Sequence, residues 1–415
     1  AADGQITPFL DALFTAASAS CVTGLVTVST AVHWSVFGKC VILLLIQIGG
    51  LGFMSVAAIA SFVLRRTITL HERMVMSAGL NLSDGGGIVR LTRRVLFGTF
   101  IIEGAGAVLL SCRFVPHYGF PKGITMGVFH AVSAFCNAGF DLMGTPDDPF
   151  QSLIGWAEDP LVDITVMALI VLGGLGFFVW SDVWDKHSFC RLRLHTKIVL
   201  TATAGLLLFG FGWTLLFEWS NPATLGAFDT PHKLLAAAFE SVTLRTAGFN
   251  TIDLGALTGP SQAVSCLLMF IGGSPGSTAG GIKTVTAAVL VLTAISAFCG
   301  RTTVSAFGRT IAPRSIMNAV TLLMAGGVLC LVGACAIAGI EDAPFHQCLF
   351  EAVSAFGTVG VSMGLTPTLA AASRVILIVM MYMGRVGVLT LGVAVFMRRR
   401  EPPRLKYPDA DVFIG

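Results

Sequence analysis

Apolar and polar residues fall along this chain in blocks too long for a soluble fold. Apolar stretches run over about residues 36–64, 95–115, 161–184, 198–218, 261–298, 316–340 and 373–397. At 1.5 Å of rise per residue, each is long enough to cross a bilayer core roughly 30 Å thick as a helix. Four shorter segments lie between them, each opened by a proline: Pro8, Pro121, Pro231 and Pro344. Proline suits the first turn of a helix, where its missing N–H costs nothing. In each case about a dozen residues follow, enough helix for roughly 18 Å, or about half the apolar thickness. Such a helix cannot cross, so the pattern predicts a re-entrant segment, helix inward and extended chain back. Non-helical backbone at that depth is tolerated only against protein or water.

The short segments end in one repeated phrase: SASCVTGL (Ser18–Leu25), SAFCNAGF (Ser133–Phe140), SVTLRTAGF (Ser241–Phe249) and SAFGTVGV (Ser354–Val361). Their glycines, Gly24, Gly139, Gly248 and Gly360, are spaced by 115, 109 and 112 residues. A fixed period means one structural unit used four times. A second motif keeps the same register in the spans that follow: IGGLGF (Ile48–Phe53), LGGLGF (Leu172–Phe177), IGGSPG (Ile271–Gly276) and MGRVGV (Met383–Val388). Its first glycines lie 25, 34, 24 and 24 residues beyond the phrase glycines, the extra length in copy two being an acidic insert around Asp147–Asp159. The predicted fold is an all-α polytopic membrane protein of four pseudo-symmetric units: span, pore helix, filter loop, span. They are set around one central pore, an arrangement that resembles a potassium channel. The units are bounded at 1–66, 67–186, 187–300 and 301–400, with a cytoplasmic tail over 401–415. Copy one lacks a leading span, so residues are expected before Ala1.

Composition agrees: 54% hydrophobic, 12% charged, mean hydropathy +0.82, where soluble domains carry roughly 25% charge. The net charge is only +3, but 18 of the 26 Lys and Arg sit in segments 65–94, 185–197, 299–315 and 398–406. Segment 141–163 holds six acids and no Lys or Arg. The positive-inside rule makes the basic segments cytoplasmic and the acidic one external, in a plasma (inner) membrane, with the filter loops facing outside. Each basic run adjoins an apolar span, so it reads as a topology signal and not as a nucleic-acid surface. Ten scattered cysteines with no C-x-x-C pair read as small buried hydrophobes.

A dehydrated cation needs several oxygens in place of its water, and carbonyls of converging glycine-bearing loops supply them. The C-terminal ends of the short helices add partial negative charge. The candidate filter residues are Val22, Thr23 and Gly24; Asn137, Ala138 and Gly139; Thr246, Ala247 and Gly248; and Thr358, Val359 and Gly360. They are nearly all uncharged, which favours backbone coordination over a ring of carboxylates. On these phrases and the IGGLGF-type motif, essentially the whole chain resembles the Trk/Ktr/HKT superfamily of potassium transporters, closest to the Ktr-type membrane subunit. The resemblance implies a transported K+ held by filter carbonyls, with one filter glycine per repeat, and no organic cofactor in this chain. It also raises sodium as an activator, and implies a homodimer and a cytosolic nucleotide-binding regulatory ring as partners. The loops differ from the TVGYG of tetrameric channels, which implies weaker discrimination of potassium from sodium.

Unit three breaks the pattern. Its second span contains Gly272, Gly273, Ser274, Pro275, Gly276, Ser277, Thr278, Ala279, Gly280 and Gly281, then Lys283 and Thr284. Glycines cost about 1 kcal/mol each inside a helix and proline about 3, so 272–284 is expected as a loop below the filter. The resemblance makes it an intramembrane gate, while copies one and two are expected to keep a plain helix. Gly272–Gly276 also fits G-x-S-x-G, yet it lacks the strand a nucleophile elbow needs. The near P-loop at 276–284 is spoiled by Ile282. An enzyme is therefore not expected, and a secondary cation transporter with alternating access is the alternative, although that fold shows inverted repeats.

Charges inside the membrane default to functional hypotheses. Arg385 takes the place of Gly50, Gly174 and Gly273, and is expected to face the loop as barrier and anchor. Lys283 either lines the cytoplasmic pore or snorkels. Arg245 is expected to brace its loop from behind against Glu240 or Glu351, which are placed near helix starts, either as caps or as cation attractors. The apolar tail Val412–Gly415 suits a dimer interface or a frayed end.

Overall fold

The computed structural model describes residues 1–52, without Asp3 and Gln5, and residues 88–387. The boundaries at 66/67 and 400/401, most of the basic segment 65–94, all of 398–406 and the tail Val412–Gly415 lie outside the described residues. The fold is almost wholly helical. The order long helix, short helix, extended segment, helix occurs three times, and its last three parts occur once more at the start. The first set is α1 (Phe9–Cys21) and α2 (Val36–Leu51). The second is α3 (Ile88–Tyr118), α4 (Phe120–Phe135) and α5 (Pro160–Leu175), extended by α6 (Phe177–Lys186). The third is α7 (Leu194–Glu218), α8 (Thr230–Thr243) and α9 (Gly259–Phe270), extended by α10 (Thr284–Phe298). The fourth is α11 (Pro313–Ile340), α12 (Phe345–Gly357) and α13 (Ala371–Val386).

The prolines act as their positions suggest. Pro8 and Pro344 are N-cap residues, and Pro121 and Pro231 lie in the first turn. Among the described residues, three helices are long and apolar enough to cross a membrane: α3 from Thr92, α7 and α11. Only 33%, 22% and 28% of their apolar windows are buried inside the protein, so most of that surface faces outward, as lipid contact requires. Close backbone approach binds the helices where no hydrophobic drive between them exists. At the tight α3–α4 turn, Gly123 abuts the Val115 backbone, and Gly127 lies against Ser111 and Ala107 O.

The sets are joined in a ring. α2 packs on α4, α5 on α8, α9 on α12, and α13 back on α1. The closing joint carries an ion pair, Arg374 Nη1 to Asp11 Oδ1 at 2.5 Å, and Thr27 Oγ1 donates to the same oxygen at 2.8 Å.

One expectation fails. Copy two does not keep a plain helix: α5 ends at Gly176, and α6 leaves at 91°. The equivalent Gly52 and Gly387 terminate α2 and α13. All three glycines have φ of 79–94° with ψ of 127–147°, a region essentially closed to residues with a Cβ. The last glycine of the motif is thus a helix stop, and unit three, with Pro275 at that position, carries a longer form of the same break.

Candidate ion-coordinating site

The four short helices deliver the chain into the same unusual turn. Two residues before each phrase glycine φ is positive, at Val22 (58°), Asn137 (58°), Thr246 (70°) and Thr358 (51°). The glycines follow at 93°, 68°, 86° and 92°. Val22, Thr246 and Thr358 are β-branched, the type least suited to this region. Each such residue costs on the order of 1–3 kcal/mol and persists only where its surroundings hold it, a hallmark of functional sites.

The segments meet in chain order. A Cβ placed on Gly24 would strike Ala138 O, and one on Gly139 would lie 2.8 Å from Ala247 O. On Gly248 it would lie 2.6 Å from Val359 O, and on Gly360 it would strike Thr23 O. Four carbonyls therefore stand between four glycines in one closed ring. All twelve residues singled out from the phrases come together here, and the eight that are not glycine are at most 1% exposed.

Two sets of supports hold the ring, and sequence reasoning assigned neither a role. Ser133 Oγ donates to Phe140 O (2.7 Å), Thr243 Oγ1 to Phe249 O (2.6 Å) and Ser354 Oγ to Val361 O (2.6 Å). Gly24 N donates to Ser18 Oγ (3.1 Å), and Gly360 N to Ser354 Oγ (3.2 Å). The signal was present: serine opens the phrase in every copy, and in the longer third phrase Thr243 takes over its work. Behind the ring, a Cβ on Gly49, Gly173 or Gly384 would strike Ser20 O, Phe135 O or Phe356 O respectively. The first glycine of the second motif is what lets the final helix seat against the end of the short one.

In unit three this seat is taken by the interrupted segment, which is non-helical from Ile271 to Lys283. It docks on the bend of unit two: Ser274 N donates to Gly174 O (3.0 Å), Thr278 N to Gly173 O (3.3 Å), and Phe177 N to Gly276 O (2.9 Å). A Cβ on Gly280 would strike Thr358 Oγ1, so the segment lies directly against the ring residues. Arg385 does face it, donating to Thr278 O and Gly49 O, and to Gly50 O at 3.3 Å. Lys283 Nζ donates back to Ala279 O at 2.6 Å, within the same segment. Ser274 Oγ has no partner, histidine included, among the described residues.

The expected partners of Arg245 are corrected. Its Nη2 donates to Gly272 O (3.1 Å) and Thr284 Oγ1 (2.8 Å), and to no carboxylate among the described residues. Gly272 follows the C-terminus of α9, and Arg245 itself follows that of α8, so two helix ends stabilise the cation in place of an acid. Glu240 and Glu351 are not at helix starts either. Glu240 lies in the last turn of α8, and Glu351 lies mid-helix in α12. Glu351 accepts from Ser362 Oγ (2.5 Å), Met363 N (3.2 Å) and Thr366 Oγ1 (2.6 Å), fixing the chain beyond the ring. His130 does the same in unit two, accepting from Leu142 N at 3.3 Å.

The four phrase glycines line a cavity of about 370 Å³. Its walls include Asp141, Asp148 and Asp253 and no Lys, Arg or His. Burial raises the Asp141 carboxyl to about 6, against the lowering effect of the Met143 and Gly144 N–H groups. The surface around the ring is thus acidic, with no fixed cation to oppose an arriving one.

Known proteins place this arrangement. The TrkH family, described as a cation transport protein, matches residues 2–401. The chain is 40% identical to the potassium/sodium uptake protein NtpJ of Enterococcus hirae, over 99% of this chain and 91% of that protein. It is 41% identical to the Ktr system potassium uptake protein B of Bacillus subtilis, over 98% and 90%. The crystal structure of the potassium transporter TrkH from Vibrio parahaemolyticus shares the fold, with a TM-score of 0.72 at 16% identity, covering 94% of this chain and 79% of that one. The chain therefore belongs to the TrkH family of cation transport proteins, a Ktr-type member of the Trk/Ktr/HKT superfamily, and is a membrane transport protein, not an enzyme.

Proposed function

We propose that this protein takes up potassium across the plasma membrane through the glycine ring, which acts as its selectivity filter, with the 272–284 segment as gate. The observation that carries the reading is the closed order of Thr23, Ala138, Ala247 and Val359 carbonyls between the four glycines. A strand of uniform hand points successive carbonyls to opposite sides. Here φ is positive, then negative, then positive along each segment, and that alternation turns successive carbonyls the same way, toward a shared axis. Such oxygens replace the hydration shell of an alkali cation. The short helices contribute the negative ends of their dipoles. The four sets of elements, joined in a ring in the same sense, fit a pore better than alternating access, which uses inverted repeats.

The acidic cavity faces outside in this reading, and its charge concentrates cations at the mouth. Arg385 serves as barrier and latch beneath the ring. The cytoplasmic side is where the basic segments lie. Two of them are linked, since Phe189 and Phe307 are in edge contact and Lys197 lies over both rings. That linked face is the docking surface for a nucleotide-binding regulatory ring, a partner carried over from the family resemblance, as are the homodimer and sodium activation. The test is growth of a potassium-uptake-deficient cell at low external potassium. The chain restores growth, and deletion of Gly273–Gly281 raises uptake further. Failure to restore growth with a regulatory partner supplied refutes potassium uptake.

A further inference from the structure

We propose that Arg245 is a positioning residue that couples the filter to the gate, tying the third filter segment to both ends of the interrupted segment through Gly272 and Thr284, with one buried water completing the joint. The inference rests on the gate reading above. Arg245 stands three residues before Gly248, so its backbone belongs to the ring while its side chain, 6% exposed, reaches away from it. Nη2 takes Gly272 O and Thr284 Oγ1, the first and last residues of the break. Those ends are also joined to each other: Thr284 Oγ1 donates to Gly272 O (3.0 Å), Thr284 N to Gly273 O (3.0 Å), and Ile271 and Ile282 lie side by side in an isolated bridge.

The arrangement divides the work between two arginines. Arg385 holds the middle of the segment at Thr278 O. Arg245 holds the hinge, where any displacement passes directly to Thr246–Gly248. The equivalent positions in the other copies are Cys21, Cys136 and Gly357, too short to make such a link. The long cation occurs only in the unit that carries the longer form of the break. Arginine suits the place because its planar fork serves several acceptors at once, which an ammonium cannot do in fixed geometry.

Nη1 of Arg245 has no partner among the described residues, and neither has Thr203 Oγ1. Both residues line a cavity of about 20 Å³, together with Gly174 and Gly273. A site of roughly 10–15 Å³ with polar partners is enough for one water. A water there accepts from Nη1, bonds the Thr203 hydroxyl, and extends the joint to α7.

The test measures potassium flux of the full chain reconstituted in lipid vesicles. Thr284→Val replaces the hydroxyl by a methyl of the same shape, and is expected to raise flux about three- to tenfold, the worth of one hydrogen bond at the hinge. Thr284→Ser, which keeps the hydroxyl, is expected to match the wild type. In a chain lacking Gly273–Gly281, where nothing is left to couple, Thr284→Val is expected to change nothing. An equal rise in both backgrounds, or no rise with the segment intact and unchanged thermal stability, overturns the coupling while leaving the gate in place. If the deletion by itself leaves flux unchanged, the gate reading falls and the coupling with it.

Discussion

Gly248→Ser puts the heaviest load on the ring. A Cβ at residue 248 would lie 2.6 Å from Val359 O, 2.8 Å from Gly139 Cα and 3.4 Å from Gly360 Cα. All three neighbours are backbone, so none can rotate out of the way as a flexible side chain would. At φ of 86° the new side chain also sits in a left-handed region that costs roughly 1–2 kcal/mol for an L-residue. Overpacking adds about 1–3 kcal/mol. The ring can relieve the load only by widening between segments two, three and four, which moves Ala247 O and Val359 O. A displacement that removes as little as about 1.4 kcal/mol of differential ion binding changes the preference tenfold. The expected outcome is therefore a loss of at least about tenfold in potassium-over-sodium preference, measured as competitive uptake in cells without other potassium uptake. An unchanged preference, with the variant present in the membrane at wild-type level, would refute the placement of residue 248 in the filter.

Ser354→Ala removes the donor to Val361 O and the acceptor from Gly360 N. With the buried Val361 carbonyl and the half-buried Gly360 N–H left unpaired, the loss is expected at about 1–3 kcal/mol for the carbonyl and less for the amide, read as a lower melting temperature together with poorer ion preference. Asp141 is ionised above pH of about 6 and neutral below it, so its attraction for cations is present at neutral pH and lost on acidification. It lies two residues from Gly139, within about 8 Å of the ring backbone, where a charge is worth roughly 0.5 kcal/mol in water. Low-potassium uptake is thus expected to fall about twofold as external pH drops through 6, and Asp141→Asn is expected to abolish that step. A step that survives the substitution would assign it to another group.

Much of this architecture is legible in the sequence because period, proline and glycine each carry a strong local signal. The repeated phrase locates every residue of the ring, and the prolines locate the short helices. What escapes is what depends on contact across units. The bend at Gly176 was hidden because LGGLGF is equally apolar whether its helix runs straight or stops. The last glycine differs from the first two only in its backbone angles. Arg245 and Glu240 are close in sequence, so an ion pair was the natural expectation. Yet the guanidinium points toward Gly272, a partner visible only once α9 is seen to end there. The contact of Lys283 is equally illegible in the sequence: its acceptor is the Ala279 carbonyl four residues back.

The inequality of the four units has an electrostatic consequence. In units one, two and four no residue at the end of the short helix is itself a cation, since Cys21, Cys136 and Gly357 stand where unit three has Arg245. In unit three, Arg245 follows the end of α8 and spends its donors on Gly272 O and Thr284 Oγ1. Part of that helix dipole is therefore compensated locally, and the ring is more electropositive on its third side. Arg385 adds a second positive charge, shared between units three and one, its donors directed at Thr278 O, Gly49 O and Gly50 O. Neither arginine contacts a carboxylate among the described residues, so each remains a net positive charge neutralised only by dipoles. In the function proposed above, an ion leaving the ring meets those charges where the Thr278 carbonyl is already occupied by Arg385. Moving the segment in that reading frees such carbonyls before they can face an ion, so opening changes the electrostatics of the path as well as its width.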